Sequence, residues 1–460
     1  MKTVKEDTIA AISTPSGESG ISIVRLSGKD AVKIAKKIFK PRKEKNLEEA
    51  ASFSTHFGFV VDPKRKEIID EVIVSVMRAP ATYTREDIVE INCHGGPVPV
   101  RRTLELLLNY GARLAEPGEF TKRAFLNGRI DLAQAEAVID VIKAKTDEGL
   151  KAAVSQLKGD LSKKMYGIAS ALTEACVMIE ANIEFPEEEI ETTDLQGVKK
   201  NLLKVLSEIN GLIATAESGK IIREGVKTAI VGKPNVGKSS LLNELLEEER
   251  AIVTHIPGTT RDIIEESINI GGVAFVLTDT AGIRASKDFV EKKGIERSLK
   301  SLEEADLLLV MFDGSTELTK EDTEIIKMAK GKKCIFVVNK TDLKQKIDAE
   351  TSLQGKDPAE ISITKKRGLE KLKNKMVAAV MKKGVTGKEN IIITNTRHKD
   401  RLQKAGEAIE RAVASIDKGM SEEFTAVDVR EALDHIGEIT GRVSTEDILN
   451  KIFAEFCIGK

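Results

Sequence analysis

A glycine-rich segment that ends in lysine and serine is the clearest chemical signal in this sequence. Residues 232–239 read Gly-Lys-Pro-Asn-Val-Gly-Lys-Ser, which is the pattern G-x-x-x-x-G-K-S. An apolar run at 229–231 precedes the segment, and residues with helical spacing follow it. In this strand–loop–helix context, backbone N–H groups surround phosphate oxygens, the lysine reaches the β- and γ-phosphates, and the serine hydroxyl binds Mg²⁺. We therefore predict a nucleotide-binding loop, with Lys238 as a catalytic group and Ser239 as a Mg²⁺ ligand, made by Asn235, Val236, Gly237, Lys238, Ser239 and Ser240.

Two further segments indicate which nucleotide is bound. Residues 279–282 read Asp-Thr-Ala-Gly after the apolar run 273–278, and residues 339–342 read Asn-Lys-Thr-Asp after the run 334–338. The Asp279 carboxylate can hold Mg²⁺ through a water molecule. The Asp342 carboxylate accepts hydrogen bonds from N1–H and N2–H₂ of guanine, and adenine has neither donor, so ATP would leave that carboxylate unpaired. We predict a guanine nucleotide site that also includes Asp279, Thr280, Ala281, Gly282, Asn339, Lys340, Asp342 and Ser362.

The elements that must hold these segments in place form three blocks. Prolines concentrate between Pro15 and Pro117, and residues 1–119 contain four apolar runs of strand length, which predict an α+β domain. Apolar residues recur at helical spacing in 120–219 and again in 385–460, whereas 220–384 alternates strands and helices as in a mostly parallel sheet. We predict a multidomain α+β and α/β protein in which the α/β domain at 220–384 is inserted into a helical domain. Separate domains in series are the alternative.

The composition excludes several classes of protein. Among 460 residues, 72 Lys and Arg balance 73 Asp and Glu to a net charge of −1, and 41% of residues are hydrophobic. These values indicate a folded globular protein and exclude a disordered chain, and any contact with RNA must come from a local basic patch. The four cysteines lie far apart and no long apolar segment occurs. We therefore expect a cytoplasmic protein without a disulfide framework or a membrane span.

The order of the three nucleotide segments closely resembles that of P-loop GTPases with a Ras-like fold. Ile283 follows the D-x-x-G segment, and its alkyl chain cannot orient the attacking water as the glutamine of Ras-like enzymes does. Residues 254–262, Thr-His-Ile-Pro-Gly-Thr-Thr-Arg-Asp, resemble the potassium-activated GTPases that act in tRNA modification and ribosome assembly. That resemblance implies GTP contacts from Thr254, His255, Ile256, Pro257, Gly258, Thr259 and Thr260. It also implies that Thr260 binds Mg²⁺ and that K⁺ is held by Asn235, Thr254, Ile256 and Thr259.

The source of the positive charge for catalysis has alternatives. Asn235 has a side-chain carbonyl suited to K⁺, but the same side chain could instead cap the phosphate loop. Arg261 or Arg284 could act as an arginine finger in place of K⁺, a device that raises GTPase rates by roughly 10³–10⁵. The resemblance implies that Glu291 is a catalytic group that helps to orient the attacking water, whereas from the sequence alone it is one acid among several on a helix.

Segments outside the α/β domain resemble the MnmE (TrmE) family of tRNA-modification GTPases. They are residues 14–28, 94–97, 117–128 and 131–136, and the final Cys-Ile-Gly-Lys at 457–460. The resemblance implies that the domain at 1–119 forms a homodimer and binds a formylated or methylene tetrahydrofolate through Arg25, Glu90, Arg129 and Lys460. The family more often has lysine where this chain has Arg129, a change that keeps the positive charge.

The same resemblance implies a reaction. We expect a cytoplasmic, homodimeric, K⁺-stimulated GTPase that works with a flavin-containing partner, MnmG (GidA), to add an aminomethyl-type group to C5 of the wobble uridine of certain tRNAs. Cys457 is a candidate catalytic thiol near the folate or the RNA base, and its role stays open. The alternatives are a ribosome-assembly GTPase that acts as an RNA-binding switch, and a folate-dependent transferase in which GTP is only regulatory. Neither a folate-type domain nor the C-x-G-K end is needed by the ribosome-assembly alternative.

Overall fold

The N-terminal part of the chain is built around a seven-stranded sheet. The structure, a computed structural model, describes residues 7–43, 46–184, 195–249, 266–277, 304–347, 357–381 and 391–460. The strands are β1 (Ile9–Ile12), β2 (Ser19–Ser27), β3 (Phe39–Pro41), β4 (Ser54–Asp62), β5 (Glu67–Met77), β6 (Ile88–Gly95) and β7 (Arg113–Leu114). Their order is β3-β4-β5-β6-β2-β1-β7, and only the β1–β7 pair is parallel. Helices α1 (Ala31–Ile38) and α2 (Pro97–Asn109) pack against one face, where the apolar residues of the strands alternate with polar ones.

The short strand β1 joins two cores. Ala10 packs into the core beneath α1 and α2, whereas Ile9 and Ala11 pack with Ala115 and Phe120 on the other side. Because both faces of β1 are buried, its sequence Ile-Ala-Ala-Ile lacks the alternation that marks a strand with one wet face. This is why the sequence pattern predicts β2, β4, β5 and β6 and gives no signal for β1.

The helical part is assembled from two stretches of chain that are far apart in the sequence. The first contains α3 (Glu119–Leu126), α4 (Leu132–Lys143), α5 (Asp147–Leu157), α6 (Asp160–Glu184) and α7 (Leu195–Glu224). The second contains α11 (Thr396–Asp417), α12 (Glu422–Thr440) and α13 (Glu446–Ala454). Apolar stripes from α6, α7, α11 and α12 form one core, which includes Met165, Leu172, Ile209, Leu402, Ile409 and Ile436. Neither stretch buries its stripe alone, so the two must fold together.

The α/β unit lies in the sequence between α7 and α11, as we predicted for an inserted domain. It contains β8 (Val226–Val231), α8 (Lys238–Glu249), β9 (Glu266–Ile270), β10 (Val273–Leu277), β11 (Leu307–Asp313), α9 (Lys320–Met328), β12 (Cys334–Asn339), β13 (Ala359–Glu360) and α10 (Leu369–Val380). The strand order is β13-β12-β11-β8-β10-β9, and every pair is parallel except the hairpin of β9 with β10. The predicted fold class, an α+β domain and a helical domain interrupted by a mostly parallel sheet, is confirmed.

The junction between α7 and the α/β unit lies slightly later than the predicted end of the helical segment at residue 219. Helix α7 continues to Glu224, and Gly225 follows with φ +82°. A Cβ at Gly225 would lie 2.6 Å from the carbonyl oxygen of Ala274 on β10, so close contact with the sheet requires glycine there. The left-handed glycine at residue 225 marks where the helix stops.

Two carboxylates on α4 hold both ends of the insertion. Asp140 Oδ1 accepts a hydrogen bond from Nε of Arg223, at the end of α7, at 2.8 Å. One helical turn earlier, Glu136 accepts two hydrogen bonds from Arg397, in the first turn of α11, at 2.9 and 2.8 Å. His398 Nε2 lies 2.6 Å from the same Glu136 carboxylate. The segments that lead into and out of the α/β unit are therefore anchored to one face of a single helix.

Removing the charge of Glu136 is expected to destabilise the helical part. Burial opposes ionisation of Glu136, but His398 and Arg397 outweigh it and lower the pKa of this carboxyl from 4.5 to about 2. Glu136→Gln leaves Arg397 without its counter-ion in a buried site and should lower the free energy of unfolding at neutral pH by roughly 3–5 kcal/mol. Denaturant titration followed by circular dichroism measures this loss.

The pH dependence and a surface variant provide the controls. Because the pKa of Glu136 is lower in the folded state, its contribution is complete above pH 4.5 and disappears as the pH falls towards 2. The difference between wild type and Glu136→Gln should therefore shrink below pH 4.5. Glu180→Gln breaks the exposed pair with Arg430 and should cost less than about 1 kcal/mol. Equal losses for both variants at neutral pH would contradict the assignment.

Candidate functional site

The phosphate loop connects the central strand β8 to α8 and depends on glycine at both ends. Gly232 has φ +154°, and a Cβ there would lie 2.5 Å from the carbonyl oxygen of Met311. Gly237 has φ +106°, and a Cβ there would lie 2.4 Å from Nδ2 of Asn339. Any side chain at either residue would displace a neighbouring strand end, so the spacing of the two glycines follows from the close packing of the loop.

Lys238 lies over this loop. Its Nζ donates hydrogen bonds to the carbonyl oxygens of Gly232 and Lys233, both at 2.7 Å. Burial lowers the pKa of Lys238. No carboxylate is paired with the ammonium among the residues that the structure describes. A half-buried cation held by carbonyl dipoles alone is suited to an anionic ligand such as a phosphate.

Three further residues of the loop and the first turn of α8 have exposed side chains. Asn235 takes a left-handed backbone conformation with φ +63°, which asparagine tolerates better than most residues. Its side chain is exposed and makes no hydrogen bond within the described part of the chain. Ser239 and Ser240 lie exposed in the first turn of α8. The loop thus presents an amide and two hydroxyls beside the Lys238 ammonium.

Asn339 joins the phosphate loop to the predicted base-binding segments. It ends β12, is 4% exposed, and its Nδ2 donates to the carbonyl oxygen of Val236 at 2.8 Å. Its Oδ1 accepts from the backbone N–H of Ile363 at 3.4 Å. One side chain therefore connects residues 236, 339 and 363, so the three segments that were predicted separately meet at one edge of the sheet.

Asp342 and Ser362 form the outer wall of this edge. The Ser362 hydroxyl donates to Oδ1 of Asp342 at 2.6 Å and accepts from the backbone N–H of Lys365 at 3.2 Å. The hydrogen bond from Ser362 lowers the pKa of the exposed Asp342 carboxyl, which keeps it ionised at neutral pH. Ser362 is fully buried, so it holds Asp342 in a fixed orientation while Asp342 itself is exposed.

Asp313 is a site residue that the sequence patterns did not identify. It ends β11, and its Oδ2 accepts from Nζ of Lys340 at 2.6 Å, while its Oδ1 accepts from the hydroxyl of Ser315. Lys340 has φ +63°, a strained backbone conformation, and the ion pair with Asp313 holds its side chain in place. The sequence signal that could have identified Asp313 is an acid at the end of an otherwise apolar strand. In the sheet, Asp313 lies beside Asn339 at the same edge.

Several predicted residues lie outside the described part of the chain. They are Thr254, His255, Ile256, Pro257, Gly258, Thr259, Thr260, Asp279, Thr280, Ala281, Gly282 and Glu291. Their predicted contacts with GTP, Mg²⁺, K⁺ and water stay predictions, as do the alternative roles of Arg261 and Arg284.

The four residues predicted to bind folate converge on α3. Arg25 and Glu90 are cross-strand partners on β2 and β6, with Nε of Arg25 2.8 Å from Oε1 of Glu90. The Arg25 guanidinium also lies 5.7 Å from the ring centre of Phe120. The Arg129 guanidinium stacks on Tyr83 at 4.7 Å, and the Tyr83 hydroxyl lies 2.9 Å from that of Thr121.

The C-terminal segment 457–460 returns to the same place. The backbone N–H of Phe120 donates to the carbonyl oxygen of Lys460 at 3.1 Å, and the Ser13 hydroxyl donates to that of Gly459 at 3.1 Å. Gly459 has φ +95°, and a Cβ there would lie 2.2 Å from the carbonyl oxygen of Ile12. Cys457 is exposed. The tail is therefore held by its backbone against the N-terminal domain, which brings Lys460 to the region of Arg25 and leaves the Cys457 thiol accessible.

Comparison with known proteins gives matches to two family models and to relatives over nearly the full length of the chain. The MnmE helical domain model matches residues 132–457, and the model of the N-terminus of GTP-binding protein TrmE matches residues 8–129. The tRNA modification GTPase MnmE of Thermoanaerobacter pseudethanolicus is 53% identical over 99% of both chains. Those of Alkaliphilus oremlandii and Clostridioides difficile are each 49% identical, again over 99% of both chains. Among the described helices, none combines the length and the apolar character needed to cross a bilayer. The chain belongs to the MnmE (TrmE) family of tRNA modification GTPases.

Proposed function

We propose that this GTPase of the tRNA-modification family hydrolyses GTP at the sheet edge formed by the phosphate loop, Asn339, Asp342 and Ser362. The observation that carries the proposal is the pair of contacts that Asn339 makes with Val236 and Ile363, because it joins the phosphate side to the guanine side. The ionised Asp342 carboxylate accepts from N1–H and N2–H₂ of guanine. Lys238 exchanges its two carbonyl partners for phosphate oxygens and stabilises the negative charge that develops during hydrolysis.

The loop residues fit the proposed metal ions. Ser239 would hold Mg²⁺ together with Thr260, and the ion would supply positive charge at the phosphates. Asn235 would hold K⁺ together with Thr254, Ile256 and Thr259. Two observations support this role for Asn235 over a loop cap: its side chain is exposed, and it makes no hydrogen bond to the loop within the described residues. Glu291 would orient the attacking water in place of the glutamine that Ile283 replaces.

Exchange of K⁺ for Na⁺ tests the K⁺ proposal. GTP hydrolysis should slow by at least about tenfold in Na⁺, because one electrostatic contact to the transition state is lost. Asn235→Gly removes the proposed ligand, while glycine accepts the left-handed backbone of residue 235 without strain. This variant should be slow in both salts. Equal wild-type rates in K⁺ and Na⁺ would remove the K⁺ site, and a K⁺ response retained by Asn235→Gly would remove Asn235 from it.

We further propose that the N-terminal domain binds a tetrahydrofolate one-carbon donor and forms a homodimer. Folate has an anionic tail and a donor-rich pterin ring, and the cations Arg25, Arg129 and Lys460 with the carboxylate Glu90 provide matching groups. The convergence of these residues around Phe120 and Tyr83 supports the assignment. On the wet face of the sheet, the cross-strand pair Phe57 and Ile73 is 45% and 48% exposed, an apolar surface suited to a second copy.

With the flavin-containing partner MnmG (GidA), the chain would take part in adding an aminomethyl-type group to C5 of the wobble uridine of certain tRNAs. The nucleosides of tRNA from cells with and without the gene test this function. Loss of the 5-substituted wobble uridine is the expected result. An unaltered nucleoside profile with accumulation of ribosomal subunits would instead favour a ribosome-assembly GTPase.

A further inference from the structure

A cavity of about 860 Å³ lies where the helical part, the start of the α/β unit and helix α13 meet. Its walls come from α4 and α5, the end of α7, Lys227 in β8, the start of α11, Glu438 of α12, and α13. Phe456, two residues after the end of α13, also lines it. The cavity is distinct from the phosphate loop, and none of the residues assigned above to GTP or folate lines it.

The acidic residues deep in this cavity are neutralised by arginines. Glu136 is paired with Arg397 and Asp140 with Arg223, as described above. Glu438 is paired with Arg401 at 3.0 Å. These pairs cancel one another, so the field in the cavity is determined by the remaining charges.

The remaining charges are mostly lysines. Lys143, Lys145, Lys227 and Lys451 line the cavity, are exposed, and have no side-chain partner within the described residues. Against them stand Glu455 and Glu224, the second of which lies 3.9 Å from Lys220. The N-terminus of α11 adds positive potential, because Thr394, Asn395 and Thr396 also line the cavity and α11 extends to Asp417. The chain has a net charge of −1 overall, so this cluster is a local basic patch on a neutral protein.

The arrangement suits an extended polyanion. The four lysines come from three separate elements, α4 with its following residues, β8 and α13, whereas a single phosphate ion needs one compact cluster. Tryptophan is absent from the sequence, and Phe456 is the one aromatic side chain among the described residues that line the cavity, so recognition there relies mainly on charge.

The cavity also adjoins the C-terminal segment 457–460. Phe456 lines it, and the next residue is Cys457, whose carbonyl oxygen accepts from the backbone N–H of Gly118 in the N-terminal domain. A ligand in the cavity therefore contacts the helix from which the tail extends. We propose that Lys143, Lys145, Lys227 and Lys451 bind the phosphodiester backbone of the substrate tRNA. The proposal rests on the role of the family in tRNA modification, and not on the K⁺ or folate assignments.

A charge-reversed triple variant, Lys143→Glu/Lys145→Glu/Lys451→Glu, tests the proposal on the full-length protein. The probe is a fluorescent anticodon stem-loop RNA titrated at several salt concentrations. We expect the RNA to bind at least about tenfold more weakly at 0.1 M salt. The slope of log affinity against log salt concentration should fall by an amount that corresponds to about two to three phosphate contacts. GTP hydrolysis without RNA should stay at the wild-type rate, and circular dichroism reports whether the variant is folded. The triple lysine-to-arginine variant keeps the charge and should bind like wild type.

A matched variant and a small-anion arm decide the outcome. Lys200→Glu/Lys204→Glu/Lys418→Glu changes three exposed lysines of the helical part that do not line the cavity and have no side-chain partner within the described residues. Equal RNA affinity for the two glutamate variants would overturn the proposal. So would an RNA affinity like that of wild type combined with loss of inorganic phosphate binding, which would indicate a small-anion site. Failure of the K⁺ test leaves these results unaffected, so the two proposals fail separately.

Discussion

Asp342→Asn is expected to move the nucleotide preference from GTP to xanthosine triphosphate, with a change in the ratio of the two affinities of roughly 10⁴. Ser362 donates to Oδ1 of Asp342, so in the variant the same hydroxyl should hold the amide oxygen and turn the amide NH₂ towards the base. An NH₂ group donates to the second carbonyl of xanthine but faces the N2–H₂ donor of guanine. Competition of both nucleotides against a fluorescent analogue measures the ratio.

The control for this prediction is Asp357→Asn in the same α/β unit. Asp357 is exposed and paired with Lys375 at 2.6 Å. The variant therefore removes an exposed carboxylate that lies away from the proposed base contact. This variant should keep the wild-type preference for GTP. If Asp342→Asn also kept it, the guanine contact would be assigned to the wrong residue.

Lys238→Ala is expected to lower the rate of GTP hydrolysis by roughly 10²–10³, because a desolvated cation next to the phosphates is removed. The loss should appear in single-turnover hydrolysis at saturating GTP as well as in nucleotide affinity. The ammonium also closes the loop through the carbonyl oxygens of Gly232 and Lys233. Lys238→Arg should therefore fail to restore the rate, since a planar guanidinium cannot occupy the same compact place.

Lys371→Ala provides the comparison, since Lys371 is an exposed lysine on α10 of the same unit. It should leave both affinity and rate unchanged. If Lys238→Ala hydrolysed GTP as fast as this control, the loop would not be the site of hydrolysis, and the GTPase site would have to lie elsewhere.

The elements of the site that could be predicted from the sequence are those with local causes. Each of these residues lies at or just after the end of an apolar run: the glycines of the phosphate loop, the asparagine that ends β12, the aspartate that follows it, and the serine after β13. The structure places them at one sheet edge. Parallel strands connected by helices bring their carboxyl ends to the same edge, so spacing along the chain was enough. Asp313 lies at that edge too, but a single acid at the end of a strand has no distinctive spacing, and its pairing with Lys340 is known only from the fold.

The residues predicted to bind folate could not be identified from local spacing in the sequence. Arg25 and Glu90 could be named only through family resemblance, because 65 residues separate them and neither belongs to a local pattern. Their pairing follows from the register of β2 and β6. The strand β1, buried on both faces, and the end of α7 at Gly225 were likewise set by neighbouring elements that the local sequence does not describe.

By itself, the sequence determined the nucleotide chemistry, the three kinds of domain and the insertion of one into another, because each depends on residue types at short, regular spacing. Only the tertiary structure decided that the tail at 457–460 lies against Phe120 and that α4 holds both ends of the insertion. It also decided that four lysines with no side-chain partner among the described residues share one cavity. These contacts join residues that are close in space and distant in sequence, and their energies depend on burial and on neighbouring charge, which exist only once the chain has folded.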